Sequence, residues 1–588
     1  MTGRDRPDGG GSAGGDRPAE WPEPSLAAYR FDEYDADSLD DLREAFEWEI
    51  PDTLNAATYL CDRWAAHDGD RLAMVAVDEA GDRERLTYAD LRARADRLAA
   101  FLRARGVERG DRVAITAEQR ASTVVGFVAT WKLGGVVVPL SPKFGTGAVE
   151  HRLADCGVAA CVVTEPNLAA VRAAATGAAA DTLGPVLVVG TDPRGDETAY
   201  ARAERGPDDG REAIPREAFE TVATDPDDPA LVLYTSGTTG EPKGVCHGHH
   251  TVLGMLPTYA LSMCNLDLDA GHVAWMPAAW GWIASLQYTL PVLYYGHTIL
   301  GDVAERFDPE RTMRLFAEHG VTVAFVGPAL SQLRASVDDP SRYGDLDLRV
   351  AMTGSYHREQ YEWLRETFPG VEIHRSYGQT EATLPVGTCS ALYDAPLDSV
   401  GRPMPGHDLR VVDPDTGEAQ PPGEAGELVV RYDGDPACFD GYWKREAAMA
   451  DTVRDGWLRT DDLARMDEDG NIFFMGRRDD VINCSGYRVG PGEIESILSG
   501  HDAVDLAGVI GIPDADRGEV PKAFIALADG VYPSEELIEA LQERVREEYA
   551  LYAYPRAIEI VDDLPQTRNG KVRRVELRER EGLGADGD

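Results

Sequence analysis

Three runs of apolar residues with no charged member, Val113-Ala114-Ile115, Val136-Val137-Val138 and Ala230-Leu231-Val232-Leu233-Tyr234, read as strands covered on both faces. Segments of helical period accompany them. Behind Thr87, which can cap a helix with Asp90 three residues on, Leu91, Ala95, Leu98 and Leu102 recur at three-to-four spacing. Strands buried on both faces and joined by helices form largely parallel sheets, so the expected class is α/β. The chain shows no internal repeat of the period a solenoid needs.

The later chain changes character. Between Asp408 and Tyr432, short runs such as Leu409–Val412 and Leu428–Arg431 sit among Pro, Gly and Asp turns, as in a small β-rich subdomain. Past Arg478 come a strand-like Val481-Ile482, a helix starting near Pro491, and enough alternating elements for a compact C-terminal domain of about a hundred residues. With 588 residues the chain exceeds what one hydrophobic core usually serves. The expected division is a disordered Gly/Asp/Pro-rich tail over 1–24, a large subdivided domain over 25–477 and a small domain over 478–588.

Charge narrows the partners. The chain has 103 acidic against 58 basic residues, a net charge of −45, which repels nucleic acid and anionic membranes. Lysine occurs only at Lys132, Lys143, Lys243, Lys444, Lys522 and Lys571. This balance resembles proteins of extreme halophiles, with scattered carboxylates forming a solvated surface. The eight cysteines form no C-x-x-C pair, so neither a zinc knuckle nor a disulfide framework is expected, and a reducing cytoplasm fits. The most apolar later stretch, Val124 to Leu140, is broken by Lys132 and Gly134-Gly135, and neither a membrane span nor a signal peptide is expected.

The strand reading at Ala230–Tyr234 runs straight into Thr235-Ser236-Gly237-Thr238-Thr239-Gly240-Glu241-Pro242-Lys243-Gly244. Glycines let backbone N–H groups approach phosphate oxygens, hydroxyls add donors, and a lysine supplies compensating charge. A Walker loop needs Gly-Lys followed directly by Ser or Thr; here Glu241-Pro242 separates Gly240 from Lys243. The string resembles instead the phosphate loop of the adenylate-forming superfamily of acyl-CoA synthetases, peptide-synthetase adenylation domains and luciferases.

Four further segments match that family in order. Arg375-Ser376-Tyr377-Gly378-Gln379-Thr380-Glu381 looks like the segment that holds adenine and phosphate, with Glu381 and Thr239 at the Mg²⁺. Trp457–Leu463 resembles the Thr-Gly-Asp segment, whose aspartate, here Asp462, takes both ribose hydroxyls; Asp461 replaces the glycine and is strained if that backbone needs positive φ. In Gly476–Gly490 the resemblance implies that Arg477 contacts ribose or phosphate, that Asp479 is a hinge, and that Ser485, Gly486, Tyr487 and Arg488 approach coenzyme A. Leu564–Arg574 resembles the C-terminal motif whose lysine, Lys571, meets the charge developing on the α-phosphoryl oxygens. At the adenine site, Gly354-Ser355-Tyr356 stands where relatives carry an acidic residue.

The resemblance therefore implies a large adenylate-forming domain with a small mobile α+β domain, and a ligase using ATP, Mg²⁺, coenzyme A and a carboxylic acid. Phe46–Pro51, Ser376–Glu381 and Tyr552–Arg556 look nearest to medium-chain acyl-CoA synthetases. Acetate-specific members close the pocket with a tryptophan where this chain has Gly378, so a medium-chain, branched or aryl acid is expected, with Trp280, Trp282, Ile283 and His249 lining its site. His247, His249 and His250 lack a further ligand at zinc-site spacing, and no zinc is expected. A short-chain ligase, a luciferase-like oxygenase, a carrier-linked adenylation domain and a non-catalytic nucleotide-binding protein are the competing readings.

The charge carries a direct test. Molar salt shrinks the Debye length to about 3 Å and removes self-repulsion. Melting temperature and activity should both rise from 0.1 M to molar KCl, and flat profiles would remove the halophile reading.

Overall fold

The computed structural model describes residues 27–583 apart from 178, 206–218, 236–241, 305, 355–357, 481, 485–486, 515–517, 529, 549–553 and 567–571. The expected tail over 1–24 lies outside them. Thr87 and Asp90 form a reciprocal capping box that starts the helix Tyr88–Ala104. Leu91, Ala95, Leu98 and Leu102 on that helix are all fully buried, as their spacing requires.

Two large sheets follow from the parallel strand readings. In the first, eight-stranded among the described residues, Arg112–Thr116 pairs in parallel with Val136–Leu140, which pairs in parallel with Pro229–Thr235. The second, nine-stranded on the same basis, carries Val273–Trp275, Val323–Phe325, Val350–Thr353 and Glu372–Tyr377 as parallel neighbours. One apolar core serves both: Ile115, Val137 and Leu231 of the first sheet belong to the same buried cluster as Ala274, Ile299 and Val350 of the second. Helices Ala121–Lys132 and Ile283–Tyr294 contribute Val125, Val128, Leu286 and Leu293 to it.

The β-rich segment forms a third sheet in which Leu409–Val412, Ala425–Arg431, Trp457–Met466 and Ile472–Arg477 are antiparallel in turn. A fourth sheet begins at Ile482–Cys484 and is built on the antiparallel pair Val504–Asp514 and Gly518–Leu527. Helix Pro491–Ser499 packs Ile494 and Leu498 against Val509 and Ile525 of that sheet. Val481 of the expected strand lies outside the described residues. The cysteines are all free and buried, and no helix among the described residues is long and apolar enough to cross a membrane.

One lysine is spent on the core. Lys132, 1% exposed, has its ammonium 2.5 Å from Asp62 and 2.9 Å from Asp96. Burial lowers its pKa, but the two carboxylates outweigh burial and hold the ammonium charged. Removing one member of such a network strands the others, so Lys132→Met should cost about 3–5 kcal/mol. Urea unfolding of the two proteins measures it, and a loss under 1 kcal/mol would mean that the carboxylates find water instead.

Candidate active site

Because the strands are parallel, their C-terminal ends share one edge. Thr116 partners Leu140, and Pro229–Thr235 runs the same way, so Thr235 lies at that edge. In the second sheet Thr353 partners Arg375, placing Gly354 just past the end of its strand and Ser376–Glu381 at and beyond the end of the next. Ser236, Gly237, Thr238, Thr239, Gly240, Ser355, Ser485, Gly486 and Lys571 lie outside the described residues, as do the side chains of Asp479, Tyr487 and Arg488.

The described residues gather charge from four separate segments. Glu381 Oε1 accepts a 3.0 Å hydrogen bond from the Tyr442 hydroxyl. Lys243 holds its ammonium 5.3 Å from the centre of the Tyr442 ring. Burial raises the Glu381 pKa, while Tyr442, Arg477 and Lys243 pull it back. Asp462 Oδ2 accepts from the Tyr377 hydroxyl at 2.6 Å, and its other oxygen lies 3.4 Å from Arg477 Nη1. Asp462 and Arg477 face each other across an antiparallel strand pair, which fixes that approach. Asp461 does sit at φ 56°, the left-handed region that a glycine would enter freely, with its N–H on Glu427 at 3.2 Å.

A partly buried carboxylate, with one oxygen on a neutral phenol and within the field of Arg477 and Lys243, is a hard-oxygen donor suited to Mg²⁺ beside a polyphosphate. Thr239, the other expected ligand, falls outside the described residues.

Along the expected acyl wall, Trp280 is buried with its backbone N–H on the Ala117 carbonyl, at the same sheet edge. The half-buried Trp282 caps helix Ile283–Tyr294 and meets Phe144 edge-on at 5.8 Å. Tyr288 of that helix stacks on Phe325 at 4.9 Å and shares a 2.6 Å hydrogen bond with Ser376.

Three expectations need correction. His249 stands at the far end of the sheet from the phosphate loop: its neighbour Gly248 pairs with Pro229, the first residue of a seven-residue strand whose last residue opens the loop. There it is buried, its Nδ1 accepting from Ala56 N–H at 3.0 Å, and burial pushes its pKa down to about 4. Arg375 is buried and donates to the Ser399 and Pro396 carbonyls at 2.6 and 2.9 Å, a brace for the loop beside the sheet. Gly378 does not face open space, since a β-carbon there would lie 1.6 Å from the Thr383 carbonyl oxygen. The turn folds back on itself, and glycine is needed for the fold-back.

The other two histidines divide. Burial pushes His247 down to about 4, with Asp440 and the Thr380 backbone opposing. In His250 burial likewise lowers the pKa but is outweighed by Asp440, 2.9 Å from Nε2, and by the Pro436 carbonyl, 3.1 Å from Nδ1. Asp227 completes a group of three with ligand atoms within 4.8 Å of one another, but hydrogen bonds at both ring nitrogens describe an imidazolium paired with Asp440. Tyr442, Tyr288 and Phe325 escaped the sequence reading; the signal for the first was Gly441-Tyr442-Trp443-Lys444, an aromatic pair before a scarce lysine.

Comparison with known proteins places the chain in a family. The family model described as AMP-binding enzyme matches residues 61–443, and that of the AMP-binding enzyme C-terminal domain matches 493–571. YtcI of Bacillus subtilis (strain 168), an uncharacterized acyl-CoA ligase, is 34% identical over 519 residues, covering 87% of this chain and 94% of its own. The mitochondrial acyl-coenzyme A synthetase ACSM3 of Mus musculus is 30% identical over 559 residues, 92% of this chain and 93% of its own. Among solved structures, the anthranilate CoA ligase AuaEII in complex with anthranoyl-AMP superposes with a TM-score of 0.80 at 25% identity, covering 91% of this chain and 98% of that one. The chain belongs to the AMP-binding enzyme family and is an ATP-dependent, AMP-forming ligase.

Proposed function

We propose that the enzyme joins a medium-chain, branched or aryl carboxylic acid to coenzyme A in two half-reactions. In the first, a carboxylate oxygen attacks the α-phosphorus of ATP, the bond to the β-phosphate breaks, and acyl-AMP and pyrophosphate form. In the second, the thiol sulfur attacks the acyl carbonyl, AMP leaves, and the thiol proton is released. The observation that carries the reading is the convergence of Lys243, Glu381, Asp462 and Arg477 from four segments of three sheets.

In this reading Asp462 accepts both ribose hydroxyls while Tyr377 and Arg477 hold its carboxylate in place. Lys243 and the phosphate loop through Thr239 hold the phosphates, and Glu381 with Thr239 holds Mg²⁺. The metal, when bound, supplies charge neutralisation on the phosphate oxygens. Lys571 donates to the α-phosphoryl oxygens as negative charge builds during attack. The small domain beyond Asp479 turns between half-reactions, exchanging Lys571 for Ser485–Arg488 at the site.

The acid class draws support from the aromatic lining of Trp282, Phe144, Tyr288 and Phe325. The likeness to the anthranilate ligase and, at 33% identity, to a feruloyl-CoA synthase of Amycolatopsis points the same way. The short-chain alternative rests on the bulk of Trp280 and on 32% identity to an acetyl-coenzyme A synthetase of Bacillus subtilis. Each buried methylene adds about 0.8 kcal/mol, so kcat/KM should rise roughly tenfold from butyrate to hexanoate if the cavity is deep. Pyrophosphate release over acetate, butyrate, hexanoate and benzoate decides it, and preference for acetate overturns the acid class.

The half-reactions can be separated. Lys571→Ala should lose adenylation by at least a hundredfold yet retain thioester formation from preformed acyl-AMP, whereas Gly486→Leu should do the reverse. Equal loss of both steps in Lys571→Ala would overturn the two-conformation scheme.

A further inference from the structure

The carboxylate and the ammonium expected to bracket the nucleotide phosphates come from different sheets. Lys243 opens the strand Lys243–Gly248 of the first sheet, and Glu381 follows the strand Glu372–Tyr377 of the second. Their spacing must hold to a fraction of an ångström for a metal-bound triphosphate. What holds it is a short segment that touches both.

From Cys438 to Trp443 the backbone alternates between the two partners. Cys438 bridges Ala382, and the Phe439 N–H donates to the Glu381 carbonyl at 2.9 Å. The Asp440 N–H then donates to Cys246 O at 2.8 Å, Gly441 and Tyr442 pair with Cys246 and Val245, and the Trp443 N–H donates to Gly244 O at 2.7 Å. Upstream, the segment lies directly on Gly254, where a β-carbon would come within 2.4 Å of the Ala437 nitrogen. The His250–Asp440 pair pins it further. Six residues thus stitch the Glu381 loop to the strand that carries Lys243.

Tyr442 extends this stitching to the side chains. Its hydroxyl donates to Glu381 Oε1, its ring face lies under the Lys243 ammonium, and Phe439 supports the ring edge at 4.9 Å. We propose that Tyr442 is a positioning residue that sets the Glu381 carboxylate against the Lys243 ammonium and so tunes the site for the metal-bound form of ATP. The hydroxyl engages Oε1, so Glu381 would offer its other oxygen to the metal, and the ring steers the ammonium without a hydrogen bond that would compete with phosphate. The inference rests on the role proposed above for Glu381.

Tyr442→Phe deletes the hydroxyl and keeps the ring. Calorimetric titration of ATP with Mg²⁺ or with EDTA should show MgATP binding weakened roughly tenfold, as expected for a hydrogen bond to a charged group, with metal-free ATP binding changed less than twofold. Tyr442→Leu, which also removes the ring, should weaken both. The KM for the acid should stay unchanged in the Phe variant. Equal weakening of both nucleotide forms, or a lowered melting temperature with unchanged binding, would reduce Tyr442 to a packing role and overturn the inference. Glu381→Gln separates the two levels. If it leaves the Mg²⁺ dependence intact, the metal role of Glu381 fails and takes this inference with it; if it abolishes that dependence while Tyr442→Phe does nothing, the inference alone fails.

Discussion

A single apolar core shared by two largely parallel sheets governs where chemistry can happen in this chain. Side chains of both sheets and of the helices between them share one cluster, so neither sheet can shift without exposing residues such as Val137, Leu231, Ile299 and Val350. Parallel strands need partners on both edges and cover on both faces, which leaves polar side chains little place along their length. Polarity collects past the strand ends instead, and the common direction of the strands brings Thr235, Gly354 and Ser376–Glu381 to the same side. The shared core is what makes two loops on different sheets into one site.

The small domain is built on a different balance. It has two apolar clusters of its own, and charged side chains join its segments. Arg574, three residues past Lys571, lies 2.8 Å from Asp480 and 2.5 Å from Glu495, while Arg578 approaches Asp480 at 3.5 Å. Glu495 is buried, which raises its pKa, and Arg574 opposes that rise by keeping the carboxylate paired. The segment following Lys571 is thereby tied to the residue beside Asp479.

What was legible in the sequence shares a cause. Apolar runs and helical spacing report burial, so the sheets and the capped helix at Thr87 could be read from one sequence. The left-handed backbone at Asp461 was visible because a residue stood where relatives carry glycine. The errors arose where a residue type is compatible with opposite surroundings. Arginine in a phosphate-binding segment suits an anion, yet Arg375 braces backbone carbonyls. A glycine reads as vacated volume, yet at Gly378 the backbone of Thr383 has taken it. His249 follows the loop closely in sequence, but a strand of the returning hairpin carries it to the opposite end of the sheet. The local pattern around Tyr442 could mark the residue but not give it a role, because its two partners lie about 60 and 200 residues away and only the sheet pairing brings them together.

A net charge of −45 sets the enzyme against its own anionic substrates, and range is what reconciles the two. The carboxylates scattered over the surface act at distances beyond the Debye length once salt is concentrated, and their field is then screened. The cations at the site act over a few ångströms in partly buried surroundings, where salt screens little. Lysine is scarce enough that its use is informative: Lys132 pairs with Asp62 and the buried Asp96, and Lys243 lies over the Tyr442 ring beside Glu381. Arginine serves elsewhere as a planar fork on carboxylates and carbonyls, as at Arg459, Arg574 and Arg375. A compact ammonium on a flexible stem has no such geometry to satisfy and can follow a phosphate as its charge redistributes. A guanidinium committed to two partners cannot, which is a physical reason for the proposed phosphate loop to keep one of the chain's few lysines.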